Sequence, residues 1–462
     1  MSILNVNKIN PVGSGSTITI AGIASVTNNI SVGNSVTAGS FVGPIEGAVT
    51  GNVTGNVTGN VTGNVTGNVT GNVTGDATGL SGNPSINTTG IITATTLNYT
   101  GNQNLSNRNL IINGAMTIAQ RSTSITQSSG YGSVDRIIFD YGGIAAHIPQ
   151  AQVNVSSGTT PYTLGFRKAF KITNGNQGSS LPTAGYISII YKTEAQDIAT
   201  SGWNYKSASS YLTLSFWVKA SVAQNYYFRF QTKDGGSTWN YPMETGSLTA
   251  NTWTKIIKTI PGNSNLQIDN DNGEGPKIEW ATAWGTDSTS SSVNLNQWAA
   301  YSDGTKTPDQ TTTWYTTNSA TFEITGVQLE VGPVATPFEH RSYGEELRRC
   351  QRYFFNITGN NGSRSGIPGY ANSTTSLRCM VQFPAPMRAI PTVSGTATAM
   401  VFDSQDDSAS FNCSSLTSGG APTTSNPTQM CIEVNTSGMT NGQGGQLEFR
   451  AANGSINFSA EL

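Results

Sequence analysis

The sequence predicts an all-β protein: a repetitive fibrous segment precedes a jelly-roll-like β-sandwich, a short connecting helix and a small C-terminal β-domain. Three observations support this prediction. Residues 47–78 are four-residue repeats, short runs of alternating apolar and polar residues follow them, and one stretch has the spacing of a helix. The 462 residues include 52 glycines, and only 11% of them are charged. Such a polar, turn-rich composition favours many short strands.

The repeat reads GAVT, then six copies of GNVT, then GDAT. In an extended strand the Gly and Val of each tetrad share one face, and the Asn and Thr share the other. One strand with so small an apolar edge cannot offset its ordering entropy, so we expect three chains to wind together as a shaft. A disordered linker is the alternative. The shaft and its neck are placed at 47–108, after an N-terminal region at 1–46.

Aromatic residues mark the globular part of the chain. All eight tryptophans lie within 203–314, inside a predicted sandwich at 109–348. Residues 212–218 and 226–230 alternate between apolar and polar, as half-buried strands do. Similar alternation near the end of the chain predicts a smaller β tip domain at 349–462.

Two local features are predicted at the end of the sandwich. The alternation in 322–329 changes parity at Gly326, which indicates a β-bulge. A helix is expected over 343–354, because Ser342 and Glu345 have the spacing of a capping box.

Several stretches resemble a known family. NLIINGAMTIAQRSTS (109–124) with VDRI (134–137), and FEITGVQLEVGPVATPFEHRSYGEELRRCQRYF (322–354), resemble the opening and closing of a jelly-roll module common in phage tail-fibre proteins. FPAPMRAIPTV (383–393) resembles the start of the tip domain that follows that module. The N-terminal ILNVNKI and the GNVT tetrads resemble cyanophage fibres in particular.

The resemblance implies a homotrimeric tail-fibre or receptor-binding protein of a tailed bacteriophage. Residues 1–46 would attach to the virion through a tail, baseplate or adaptor protein, and the C-terminal domains would bind a host surface glycan such as lipopolysaccharide. The resemblance carries no catalytic residue. We therefore expect a virion protein, assembled in the host cytoplasm, that adsorbs to the host and is not an enzyme.

Composition argues against several other classes of protein. The net charge of −2 gives no basic patch for nucleic acid, and no apolar run is long enough for membrane insertion. We expect no cofactor and no metal, since no motif for either occurs. The four cysteines, Cys350, Cys379, Cys413 and Cys431, lack metal-ligand spacing. They are interpreted as buried thiols, with a disulfide in the tip domain as the alternative.

Aromatic side chains in polar surroundings are the candidate ligand-binding residues, because rings stack on the apolar faces of sugars. Packing inside the sandwich is the alternative for each. The candidates are Trp203, Tyr205, Trp239, Tyr241, Trp284 and Trp298.

Carboxylates leave an enzymatic alternative open, in which the chain is a polysaccharide depolymerase. Glycoside hydrolysis uses two carboxyl groups across a cleft, and Glu274 with Glu279, or Asp403 with Asp406, would supply such a pair. The string DNDNGEG (269–275) has oxygen ligands suited to Ca²⁺ but departs from the EF-hand pattern, so we interpret it as a solvated turn. A purely structural appendage is a further alternative.

Overall fold

The computed structural model describes residue 9 and residues 107–126, 129–236, 238–359, 363–404, 409–418, 425–450 and 454–462. Every element described below lies in one compact unit, Thr93–Leu462. Apart from Ile9, the predicted attachment region falls outside these residues, and so do the tetrads of the predicted trimeric shaft.

One layer of the sandwich is an antiparallel sheet of six strands. They are β1 (Ser124–Ile125), β4 (Gln150–Asn154), β5 (Lys168–Thr173), β7 (Tyr211–Ala220), β10 (Thr254–Pro261) and β13 (Thr321–Val331). Their order across the sheet is β1-β4-β5-β13-β7-β10. Sequence neighbours are therefore often separated in space, as expected for a jelly-roll-like arrangement rather than a simple meander.

The other layer is an antiparallel sheet of seven strands. They are β2 (Gly130–Tyr131), β3 (Ile137–Gly142), β6 (Tyr186–Glu194), β8 (Asn225–Thr232), β9 (Trp239–Ser247), β11 (Glu274–Trp284) and β12 (Ala299–Ala300). Their order is β12-β9-β8-β11-β6-β3-β2. Phe216 of β7 packs edge-on against Phe228 and Trp280 of this sheet, with ring centroids 5.1 and 5.5 Å apart. The two layers thus enclose one hydrophobic core, which confirms the predicted β-sandwich.

Strand β7 is buried on both faces, so the prediction of a half-buried strand is wrong for it. Leu214 and Phe216 point into the core, but Thr213 on the opposite face is also fully buried. The Thr213 hydroxyl donates a hydrogen bond of 2.6 Å to the carbonyl of Gly332. The chain that follows β13 covers this face, which the spacing within β7 alone does not reveal.

The bulge predicted at Gly326 is confirmed. Pairing between β13 and β7 shifts between Thr325 and Gln328, and Gly326 has a φ of 63°. A Cβ atom at this position would lie 2.7 Å from Cζ of Phe166. Both the backbone conformation and the close approach of a ring require glycine here.

A network of hydrogen bonds joins the opening stretch of the sandwich (109–124) to its closing stretch (322–354). The side chain of Asn109 accepts a hydrogen bond from the Leu329 amide (3.1 Å) and donates one to the Val327 carbonyl (3.1 Å). Glu339 accepts from the Asn109 amide at 2.7 Å, and Arg341 donates to the Asn109 carbonyl. These hydrogen bonds therefore fix the beginning of the sandwich to its last strand and to the segment that follows it.

The helix predicted before the tip is present as α4 (Tyr343–Gln351), and the Ser342 hydroxyl caps it by accepting from the Glu345 amide. It ends earlier than predicted, because Phe354 already belongs to the next strand. Three short helices in the sandwich connections were not predicted: α1 (Thr160–Thr163), α2 (Ala195–Ala199) and α3 (Thr313–Thr316). Across the described ranges, no helix is long and apolar enough to cross a membrane.

The tip consists of two antiparallel sheets around a second core. The smaller sheet has the order β14-β23-β17, with strands β14 (Phe354–Gly359), β17 (Thr392–Gly395) and β23 (Gly454–Ser459). The larger has the order β19-β18-β22-β15-β16-β21-β20, with strands β15 (Ser363–Ala371), β16 (Ser376–Gln382), β18 (Met400–Ser404), β19 (Ser410–Asn412), β20 (Ser415–Ser418), β21 (Gln429–Asn435) and β22 (Gly444–Phe449).

The cysteines are buried free thiols, as the composition suggested. Cys350 packs at the junction of sandwich and tip, and Cys379, Cys413 and Cys431 lie within the tip. Burial raises the pKa of the Cys413 thiol to about 12, which keeps it protonated at neutral pH.

Candidate functional site

The six aromatic candidates fall into two groups by exposure. Trp203, Tyr241 and Trp284 are each 3% exposed, so their ring faces are covered by protein and are not presented to a ligand. Residues Tyr205, Trp239 and Trp298 are half-buried and pack against the sandwich core. The polar sequence context therefore did not indicate exposure.

Four of these candidates form one aromatic cluster with Phe230. Trp203 lies 6.2 Å from Tyr205 and 6.3 Å from Phe230, while Trp298 lies 5.1 Å from Tyr241 and 6.1 Å from Phe230. Each indole N–H also bonds to a nearby backbone carbonyl: Trp203 to Ser210, and Trp298 to Pro261. The cluster is part of the hydrophobic core or packs against it, and both of its indole N–H groups are already hydrogen-bonded within the protein.

Trp284 belongs to a different group, on the outer face of the seven-stranded sheet. Its indole N–H donates to the Ser188 hydroxyl at 2.9 Å, and the Arg229 guanidinium lies 5.3 Å from its ring centroid. Arg229 is 2% exposed and donates twice to Glu279, at 2.5 and 2.9 Å. Burial alone would raise the pKa of Glu279, but Arg229 and Lys277 outweigh it and hold that pKa below its usual range.

The other described carboxylates considered for hydrolysis are also paired with basic side chains. Glu274 accepts a 2.8 Å bond from Lys192, and Asp403 lies 3.2 Å from Arg450. Asp406 falls outside the described residues. Glu279, ionised in its ion pair with Arg229, has no proton to donate as a general acid would.

Residues 269–273 of the 269–275 string form a largely exposed turn, in which the Gly273 amide donates to the Asp271 side chain at 2.9 Å, and Glu274 begins β11. Within the described ranges, no group of three His, Cys, Asp or Glu side chains is placed to hold a metal ion. The turn instead contacts the tip: the Arg388 guanidinium donates to the Asn272 carbonyl at 2.7 Å.

A cleft of about 790 Å³ lies between the sandwich and the tip. Its floor is the outer face of the three-stranded sheet. Strand β23 sets Ser455, Asn457 and Ser459 on this face, while Ile456 and Phe458 enter the tip core. The floor side chains are hydroxyls and primary amides: Asn356, Thr358, Ser394, Ser455, Asn457 and Ser459.

Strand register arranges these polar groups as a grid. Asn457 lies between Asn356 on one neighbouring strand and Ser394 on the other. Ser455 pairs with Thr358 in the adjacent row. Each of these side chains both donates and accepts hydrogen bonds. The grid therefore matches a ligand that carries many hydroxyl groups.

The wall of the cleft comes from the sandwich and combines a ring with a cation. Tyr131 is half-buried, and Arg121 lies with its guanidinium carbon 5.3 Å from the Tyr131 ring centroid and 3.6 Å from that of Phe354. The Gln120 side chain donates to the Phe354 carbonyl at 2.8 Å, and the Gln120 backbone carbonyl accepts from the side-chain amide of Asn356. Wall and floor are thus directly connected.

Ion pairs and hydrogen bonds hold the two sides of the cleft in place. Glu461 of the tip binds Arg121 at 3.1 Å and also binds Arg136, which is 1% exposed. On the other side of the junction, Arg352 donates to both oxygens of the fully buried Glu194, at 2.6 and 2.8 Å. The cleft is therefore preformed, and a ligand would not have to order it.

Sequence reasoning missed all of the floor residues. The alternation in GSINFS (454–459) does indicate a strand with one polar face. Small polar residues on a solvent face are ordinary, however, and only the position of the tip against the sandwich turns this face into the floor of a cleft.

No protein-family model and no curated protein matches the chain. Solved structures with some similarity include the enzymatically active domain of tailspike protein 4 from bacteriophage CBA120, at 8% identity and a TM-score of 0.26, covering 48% of this chain and 21% of that one. The chain thus spans about a fifth of that tailspike structure.

Two sugar-binding structures show comparable likeness. The family 11 carbohydrate-binding module from Clostridium thermocellum, solved with a mixed-linked tetrasaccharide, is 15% identical with a TM-score of 0.21, covering 45% of this chain and 95% of that one. A putative sugar-binding protein from Bacteroides thetaiotaomicron is 11% identical with a TM-score of 0.24, covering 49% and 100%.

Proposed function

We propose that this chain is a glycan-binding adhesin and that it binds its glycan in the cleft between the sandwich and the tip. The observation that carries the proposal is the grid of hydroxyl and amide side chains around Asn457, facing the Tyr131 ring. Sugars are recognised by hydrogen bonds to their hydroxyls and by ring stacking on their apolar faces. The cleft offers both.

The proposal is binding without hydrolysis. Among the described residues that line the cleft, none is an aspartate or glutamate, whereas most glycosidases need a pair of carboxyl groups beside the scissile bond. Incubation of the chain with the bound polysaccharide should release no oligosaccharides. Released products would favour the depolymerase alternative instead.

We further propose the biological setting that the motif resemblance implies: a homotrimeric tail fibre of a tailed phage. The N-terminal region would dock on a tail, baseplate or adaptor protein, and the C-terminal domains would bind a host surface glycan such as lipopolysaccharide in the cleft between them. Three weak sites on one fibre would gain avidity that a single shallow site lacks. Light scattering on the purified chain should show three copies, and immunogold labelling of virions should place the chain on the fibre.

The test of binding uses the full chain on a microarray of bacterial surface glycans. Asn457→Ala removes the centre of the grid, and a lost hydrogen bond is worth about 0.5 to 1.5 kcal/mol, or roughly a twofold to tenfold loss of affinity. The matched control is Asn412→Ala, since Asn412 is an exposed asparagine on β19, a strand that does not line the cleft. Equal binding by both variants would contradict the assignment of the site.

A further inference from the structure

We propose that the cleft selects an uncharged saccharide, and that Arg121 does not act there as a trap for an anion. This inference rests on the proposed function and adds the class of ligand. It starts from the lining of the cleft, in which Arg121 is the one charged side chain among the described residues. All the other lining groups are hydroxyl, amide, aromatic or aliphatic.

The charge of Arg121 is already neutralised by protein. Its Nη2 donates to Glu461 at 3.1 Å, its Nη1 lies 3.9 Å from Asp135, and its side chain is 15% exposed. Its guanidinium plane lies over the Phe354 ring. Little of its positive charge is therefore offered to the cleft.

An anionic sugar would have to displace Glu461 to use this cation. Glu461 is also the carboxylate partner of Arg136, whose side chain is 1% exposed. Displacement would leave a buried guanidinium without a counter-charge, which is strongly unfavourable. A carboxylated, sulfated or phosphorylated saccharide thus loses more than it gains at this site.

The floor of the cleft carries uncharged polar groups that suit the neutral hydroxyls of a sugar. Thr358 and Ser394 are exposed, and within the described part of the chain their hydroxyls have no hydrogen-bond partner. Three rows of side chains at two-residue intervals extend about 13 Å, at roughly 3.3 Å per residue. This length exceeds a single sugar ring, so the expected ligand is a neutral oligosaccharide.

The experiment compares neutral and acidic probes on the full chain. The neutral probes are xylo-, manno- and malto-oligosaccharides, and the acidic probes are oligogalacturonate and a sulfated oligosaccharide, each at low and high salt. We expect binding to neutral probes alone, with an affinity that salt leaves unchanged, because screening affects only charged partners.

A charge-addition variant provides the sharper test. Ser394→Lys places an ammonium over the floor from an exposed position on the edge strand β17, where lysine is well tolerated. It should gain salt-sensitive binding of the acidic probes by up to about fivefold, as expected for one new solvent-exposed charge pair. Asn412→Lys, on the edge strand β19, which does not line the cleft, is the matched control and should gain none.

The outcomes separate this inference from the proposed function. Salt-sensitive binding of acidic probes by the unmodified chain, weakened by Asn457→Ala, would overturn the neutral-ligand inference and leave the cleft as the site. Binding of no probe, or binding that Asn457→Ala does not alter, would overturn both.

Discussion

The carboxylate of Glu461 in the tip accepts a hydrogen bond of 3.1 Å from Arg121 in the sandwich, 340 residues earlier in the chain. The same carboxylate binds Arg136, so one side chain of the tip forms ion pairs with two arginines of the sandwich. This contact fixes the wall of the cleft relative to its floor. The position of the candidate site therefore depends on an ion pair outside the grid itself.

Replacement of Glu461 should destabilise the protein strongly. Glu461→Gln leaves the buried Arg136 without a counter-charge, and breaking a buried pair in this way costs about 3 to 5 kcal/mol. Chemical denaturation measures the loss. The control is Glu345→Gln, which removes an exposed i,i+4 pair with Arg349 and should cost about 0.5 kcal/mol. Similar losses for the two variants would mean that Glu461 does not bridge the domains as described.

The junction at Glu194 should make stability depend on pH. Burial alone would raise the pKa of Glu194, but hydrogen bonds from Arg352 and Tyr353 hold it below its usual value of 4.5. A carboxylate with a depressed folded pKa stabilises the protein above its unfolded pKa, and this contribution is lost as the pH falls through the folded pKa. Wild type should exceed Glu194→Gln in stability at neutral pH.

That difference should shrink as the pH falls below 4.5, the usual pKa of glutamate, and through the lower folded pKa. Urea unfolding of the two proteins from neutral to acidic pH gives the comparison, and other titrating groups cancel because both proteins contain them. A difference in unfolding free energy that stays constant with pH would contradict the assigned role of Glu194.

Replacement of two glycines by alanine should change the free energy of unfolding in opposite directions. Gly326 has a φ of 63° and lies against Phe166, so Gly326→Ala should cost about 1 to 3 kcal/mol through backbone strain and steric conflict. Gly344, in the first turn of α4, has no atom near its missing Cβ. Gly344→Ala should therefore stabilise by about 0.4 to 1 kcal/mol. Thermal unfolding of both variants checks the pair, and equal effects would contradict the bulge geometry.

The fold was largely predictable because its signals are local. The parity change at Gly326 and the cap at Ser342 each depend on residues within a few positions, and both are confirmed. The burial of Thr213 was not predictable, since a distant segment covers it. The spacing of residues within a strand does not indicate which distant segment of the chain will pack against it.

The candidate site was not predictable for the same reason. Residue type favoured Trp203 and Trp284 as ligand-binding rings, but the sequence does not distinguish an aromatic loop residue that is exposed from one that completes the core. The cleft, by contrast, is built from common residues such as Ser455 and Asn457. It becomes recognisable only when the tip is placed against Arg121 and Tyr131.

The most direct test of the central claim is an experimental structure of the full chain with the neutral oligosaccharide that binds best. The proposal predicts the sugar in the cleft, with its hydroxyls within hydrogen-bond distance of Asn457 and one ring face on Tyr131. A sugar bound elsewhere with the cleft empty, for example against the half-buried rings of Tyr205 and Trp298, would contradict it.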